Sequence, residues 1–327
     1  MKIAHWTLLN GSGMNRVAES ISAAERALGL DSVVVNPSLP VDEYDKYLDV
    51  DIHVSHTHVR DEFRQRITKP YKVIWVSHGT PEHVFQSAVE TGLQGNYGHS
   101  DGWMLAQHWM RTADAAVTFW PRHQKIWKSL CDKRTTVDCV PLGVDKTFWK
   151  PKAGVGKFVG KPSVFTAENC HYIKWPLDLF IAWPWIVEKL EGAPCLHASY
   201  LPPDMHRWFF PLVNSNDCSY TSFISNTAFS HAALVDVFSA VDFFVGLVRY
   251  GDFNRLSLEA SSCGIKTISY TGNPYADFWV SEGDQRVLAD ELVKIFSGEV
   301  IPRKHDTVPD ISETAKAMLQ IYNRIAP

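Results

Sequence analysis

Short apolar runs alternate with helix-patterned stretches along the whole chain, and they do so twice, on either side of a segment rich in Gly, Pro and Lys. Residues 2–9, 32–35, 52–55, 72–77, 115–119 and 137–140 read as strands in the first series. Between them, residues 15–28 carry apolar side chains at 17, 18, 21, 24 and 28, the stripe of an amphipathic helix, and residues 103–112 and 121–130 read as further helices. Residues 149–162, WKPKAGVGKFVGKP, show no periodicity and read as an interdomain linker. The second series has strands at 163–165, 196–200, 242–248 and 266–270 and helices at 176–190, 232–239, 289–296 and 311–325. Parallel strands need crossover connections, and the crossing helices cover both faces of a sheet. The pattern predicts an α/β chain with two such sheets, and 327 residues suits two domains of about 150 each.

Composition excludes several other classes. Apolar runs such as 241–248 fall far short of the ~20 residues that span a bilayer, so no transmembrane segment is expected. The opening MKIAHWTLLNGSG has too short an apolar run for a signal peptide and reads as a first strand ending in glycines. The six cysteines form no C-x-x-C pair and no regular spacing, which points to reduced thiols in a cytoplasmic protein without a zinc or disulfide frame. A net charge of −4 gives no global attraction to nucleic acid or anionic lipid.

The segment SLEASSCGIKTISYTGNPYADF, 257–278, carries the strongest functional signal. Asp252 and Asn254 are N-cap types ahead of a short helix that holds Leu258 and the lone carboxylate Glu259. Gly264 suits the residue after that helix, and 266–270 continues as a strand before the turn at Thr271-Gly272-Asn273-Pro274. This arrangement resembles the nucleotide-sugar signature of the GT-B glycosyltransferases of the retaining family-four (glycosyl transferases group 1) type. In that family the helix N-terminus faces the donor diphosphate and the glutamate accepts the ribose hydroxyls. NGSGMNR at 10–16 resembles the family's glycine-rich loop, where Gly11 and Gly13 let the backbone approach the phosphates and the helix starting near Asn15 offers free amides. VIWVSHGTPEH resembles its strand ending in a His-Gly pair, whose histidine, here His78, lies near the donor sugar. VPLGVDKTFWKP is similar to the segment that closes the first domain, and Lys174 matches the lysine that neutralises the diphosphate.

The resemblance implies a fold of two Rossmann-like domains facing a central cleft, with the C-terminal helix returning to the first domain. The expected boundaries are 1–150 for the acceptor side, 151–305 for the nucleotide-sugar side and 306–327 for the returning helix. The implied activity is transfer of a sugar from a UDP- or GDP-sugar to a hydroxyl, with retention and without metal or other cofactor. The implied catalytic residues are His78, Lys174 and Asp252, with Gly11, Gly13, Asn15, Lys174, Leu258 and Glu259 holding the donor. The acceptor stays open among glycan, lipid, protein and modified nucleic acid. The chain departs from the family in two places: Asn169 stands where relatives carry an arginine, and the first of two signature glutamates falls on Gly251, with Asp252 the nearest acid.

Those departures motivate one alternative, a nucleotide-sugar-binding protein without turnover. A second alternative is a zinc hydrolase on His56, His58 and Asp61, since histidines at i and i+2 can both reach a zinc. Asp49 and Asp51 form a D-x-D, but they precede a strand, whereas ligands gather at strand carboxyl ends, so they read as strand-entry acids. Trp183 and Trp185 read as core, while Trp103 and Trp109 are candidates for stacking an acceptor.

Overall fold

The structure is a computed structural model describing residues 1–7, 13–57, 65–67, 69–78, 100–167, 176–191, 193–199, 221–225, 229–249 and 255–326. The chain divides into two compact units, Met1–Asp145 with Pro309–Pro327, and Lys146–Val308. Among the described residues, no helix is long and apolar enough to cross a membrane.

In the first unit the strands are β1 (Lys2–Trp6), β2 (Asp31–Val35), β3 (Ile52–Ser55), β4 (Lys72–Val76), β5 (Ala115–Thr118) and β6 (Thr136–Cys139). They form one sheet in the order β2-β1-β3-β4-β5-β6, and every pairing is parallel. Helices α1 (Gly13–Ala27), α2 (Ser100–Thr112) and α3 (Pro121–Leu130) connect them, and α8 (Ile311–Ile325) completes the unit from the far end of the chain. Buried on both faces, the strands are built from near-continuous apolar runs such as Ile52 to Val54 and Val73 to Val76, with His53 as an inset. Trp109 lies in this core, 1% exposed, beside Ala106 and Met110, so it is a packing residue and not a platform for an acceptor.

Helix α8 is fixed at its start. Asp310 and Glu313 form a capping box at its start. Val144 N–H donates to Pro309 O and Ile311 N–H donates to Val144 O, so the returning chain pairs with the PLGVD segment. Gly143 makes that approach possible: a Cβ there would lie 2.4 Å from Asp310 O. The motif that resembled a domain-closing segment thus has a local physical task, which is to dock the return.

The second unit holds β7 (Ser163–Thr166), β8 (Cys195–Ser199), β9 (Thr221–Ser225), β10 (Phe243–Val245), β11 (Lys266–Tyr270) and β12 (Phe278–Val280). Their order is β12-β11-β10-β7-β8-β9, again all parallel. Helices α4 (Pro176–Lys189), α5 (His231–Ala240), α6 (Arg255–Ser262) and α7 (Gln285–Phe296) flank it, and Val164, Leu179, Phe180, Trp183, Leu196 and Ile268 are among the residues of its core.

The Gly/Pro/Lys stretch expected to be a linker is held within this second unit. Trp149 is buried and its carbonyl accepts from Ser262 Oγ at 2.6 Å, Lys152 N–H donates to Ser239 Oγ, and Phe158 N–H donates to Ala240 O. Strands β9 and β12 and a 3-10 turn at Val41–Tyr47 had no counterpart in the sequence pattern. β12 spans three residues, too few for a period-2 signal.

Candidate functional site

In open parallel sheets ligands gather at the strand carboxyl ends, where the strand order reverses direction. The first sheet has that switch point between β1 and β3, the second between β7 and β10.

At the first switch point the structure places a row of histidines. His5 lies in β1, His56 directly follows β3, and His78 lies two residues beyond β4. His56 Nδ1 and His78 Nε2 are 2.8 Å apart, and His5 Nδ1 and His56 Nε2 are 3.0 Å apart. His5 Nε2 reaches Glu25 Oε2 of α1 at 2.8 Å. Glu25 and His5 are fully buried, and His56 is 4% exposed. Glu25 also accepts from Ser32 Oγ at 2.6 Å and from Tyr322 of α8 at 2.5 Å.

Burial pushes the Glu25 carboxyl up, but the paired His5 and the hydroxyl donors Ser32 and Tyr322 outweigh it and hold the group below its ordinary value. Burial, and then the neighbouring His78 and His5, hold His56 well below the usual imidazole range. Burial and the Glu25 charge push the Tyr322 phenol well up.

His78, the residue singled out from the sequence, therefore stands at the half-buried end of a four-residue row. Sequence reasoning missed His5 and Glu25. Their signal was polarity in apolar positions: Glu25 falls on the buried stripe of α1 with Ile21 and Ala18, and His5 sits inside a buried strand.

The zinc alternative meets an obstacle here. Both ring nitrogens of His56 are engaged by the other histidines, which leaves no lone pair for a metal in this arrangement. Among the described residues no cluster of His, Cys, Asp or Glu is arranged to hold a metal, and His58 and Asp61 lie outside them. Asp49 and Asp51 are strand-entry acids: Asp49 pairs with Lys2 Nζ, and Asp51 accepts from the Lys2 N–H at 2.8 Å and Lys69 Nζ at 3.0 Å.

Gly13 opens α1 and is exposed, and among the described residues a Cβ built on it would meet nothing within 4 Å. Asn15 is buried at 4% exposure. Gly11 lies outside the described residues.

At the second switch point Lys174, Gly251, Asp252 and Asn169 lie outside the described residues, while α6 is described in full. Its C-terminus is a Schellman closure: Gly264, at φ 75°, donates to Ser261 O, and Ile265 N–H donates to Ala260 O. Glu259 is fully buried and its Oε1 accepts from Arg255 Nε at 2.7 Å, one turn earlier. A ribose reaching this carboxylate would share it with a guanidinium that the sequence reading had not paired with it. Leu258 is fully buried within α6.

Near the same carboxyl ends, Asp178 in the first turn of α4 accepts from Arg249 Nη2 at 2.8 Å, Tyr270 OH at 2.5 Å and Gln285 Nε2 at 2.9 Å. This buried aspartate ties together the ends of three elements and orients Arg249, which is 28% exposed at its side chain.

No protein-family model matches the chain, and no curated protein matches it either. Solved structures do match over its full length. Sucrose-phosphate synthase from Thermosynechococcus elongatus is 15% identical with a TM-score of 0.75, covering 99% of each chain. The chain has the GT-B fold. HepE of Anabaena in complex with UDP and glucose is 13% identical with a TM-score of 0.64, covering 100% of this chain and 98% of that one. An alpha-glucosyltransferase in complex with UDP-glucose and DNA containing an abasic site is 13% identical with a TM-score of 0.60, covering 98% of both. In GT-B terms, the two parallel sheets are the fold's paired α/β units and α8 is the helix that returns to the first of them.

Proposed function

We propose that this chain is a glycosyltransferase that moves a sugar from a nucleoside diphosphate sugar to a hydroxyl acceptor, with retention and without a metal. One observation carries the reading: full-length GT-B likeness to proteins whose structures hold UDP or UDP-glucose, together with polar groups gathered at both switch points. The second unit is assigned the nucleotide. Glu259, oriented by Arg255, accepts the ribose hydroxyls, and Lys174 neutralises the diphosphate as charge grows on it. In the first unit Gly13 leaves room for the diphosphate at the start of α1, and His78 meets the transferred sugar. Asp252 is assigned the place of the missing signature glutamate. We assign the protein to the cytoplasm, and its acceptor to a hydroxyl presented to the first unit.

The test is a thermal-shift screen of UDP- and GDP-sugars, since a ligand that binds only the folded state raises its melting point. One donor is expected to raise Tm, and its slow hydrolysis is expected to follow. A flat screen would overturn the reading. Stabilisation without hydrolysis or transfer to any acceptor would favour the second reading, a donor-binding protein without turnover, which Gly251 in place of the first glutamate supports.

A further inference from the structure

The order of hydrogen bonds in the histidine row determines which nitrogen of each ring carries a proton. Glu25 is held as a carboxylate and only accepts, so His5 Nε2 must donate to it. In a neutral His5 the other nitrogen, Nδ1, then accepts, and His56 Nε2 donates. By the same step His56 Nδ1 accepts from His78 Nε2. The row thus places the acceptor nitrogen of His78 at Nδ1, the end remote from Glu25.

We propose that Glu25, His5 and His56 form a buried proton relay that sets the tautomer of His78 and draws a proton taken by His78 inward to His5. This inference rests on His78 being the group that meets substrate. When a proton binds Nδ1 of His78, its Nε2 proton passes to His56 Nδ1, and the His56 Nε2 proton passes to His5 Nδ1. His56 and His78 end as neutral Nδ1–H rings, and His5 ends as an imidazolium against Glu25. One proton enters and one positive charge appears, beside a buried carboxylate.

In a transfer with retention the acceptor O–H, approaching on the face the diphosphate leaves, would supply that proton as its oxygen bonds the anomeric carbon. The bond from that carbon to the diphosphate oxygen breaks, and its electron pair leaves with the diphosphate. Moving the charge to His5 keeps a cation away from the electron-poor sugar. Once the products have left, the proton returns outward by the reverse shifts.

His5, His56 and Glu25 are positioning residues in this scheme. The burial of His56 makes it a conduit and not a resting place for charge. Other groups among the described residues also face the row. Tyr322 of α8 and Ser32 of β2 donate to Glu25, Arg26 approaches that end through Ser22, and the uncharged Phe119 ring lies beside His78.

The test is the imidazole nitrogen spectrum of the full-length protein labelled at histidine. On acidification His56 and His78 are expected to switch together from Nε2–H to Nδ1–H while remaining neutral. Glu25→Gln is expected to move that switch down by about one pH unit or more, the scale of a lost opposite charge. Should E25Q fold poorly, Tyr322→Phe removes one donor from Glu25 and is expected to move the switch upward. His56→Phe should uncouple His78, which then protonates directly and ignores E25Q. Direct double protonation of His78 in the unaltered protein, or a titration that E25Q leaves in place, overturns the relay. Absence of transfer with the switch intact overturns the glycosyltransferase reading and leaves the relay standing.

Discussion

At the residue scale, the buried carboxylates explain both what the protein needs and where pH acts on it. Glu259 Oε1 holds Arg255, so Glu259→Gln is expected to weaken nucleotide binding by about 1.5–3 kcal/mol, the range for hydrogen bonds to charged groups. The same change also removes a charge from a buried pair, so a stability loss of about 1–3 kcal/mol is expected alongside it, measured by denaturant melts without ligand. Nucleotide affinity unchanged in the variant would remove Glu259 from the donor site.

Acid stability follows from the depressed groups. His56 and Glu25 both bind protons less readily folded than unfolded, so both contribute stability that is lost as pH falls. His56 acts first, below its unfolded value of about 6.5, and Glu25 follows below about 4.5. Melting points are therefore expected to decline from about pH 6.5 downward in two stages. A flat profile to pH 4 would contradict the neutral, buried state of His56. These residues also mark where sequence reading stopped. The place of His78 just beyond a strand was legible, whereas the row that His5 and Glu25 make with it depends on the strand order that sets β1 beside β3.

At the element scale, most of what built the sheets was legible, because a buried parallel strand is written as a short apolar run and its helix as a stripe. α3 and α8 have the boundaries read from sequence, and Gly264 closes α6 as its position suggested. The three-residue β12 and the segment around Asp178 were not legible: the first is too short, and the second depends on α4, β11 and α7 meeting at one carboxylate. Gly143 is an element-scale residue, since it seats the returning chain. Gly143→Ala would drive a Cβ to 2.4 Å from Asp310 O, so a loss of about 3 kcal/mol or more is expected in urea melts. An alanine variant as stable as the parent would show that the bridge between Val144 and Asp310 does not hold the return.

At the scale of the whole molecule, one chain builds its first unit from both of its ends. The sequence pattern carried a sign of this: α8 is strongly amphipathic and follows a polar, proline-containing stretch, so its apolar face needed a partner elsewhere. What the pattern did not disclose is how specifically the partner is joined. Tyr322 donates to Glu25 at the inner end of the histidine row, Thr314 Oγ1 accepts from Gly143 N–H at 2.9 Å and donates to Pro141 O at 2.8 Å, and Arg324 pairs with Asp138. Ile311, Met318, Ile321 and Tyr322 are all buried. At about 1.5–3 kcal/mol for each large apolar side chain, these four contribute on the order of 6–12 kcal/mol. That is comparable with the ~5–15 kcal/mol that holds a typical domain folded. Ending the chain after Pro309 is therefore expected to unfold the first unit, while the second, whose core lies within Lys146–Val308, keeps its cooperative melt and resists limited proteolysis. The truncated protein should lose all transfer activity yet retain weak nucleotide binding, because Glu259 and Arg255 remain in place. If the first unit instead resists proteolysis without α8, the helix is an accessory to a core complete without it, and its tyrosine is not needed to hold Glu25.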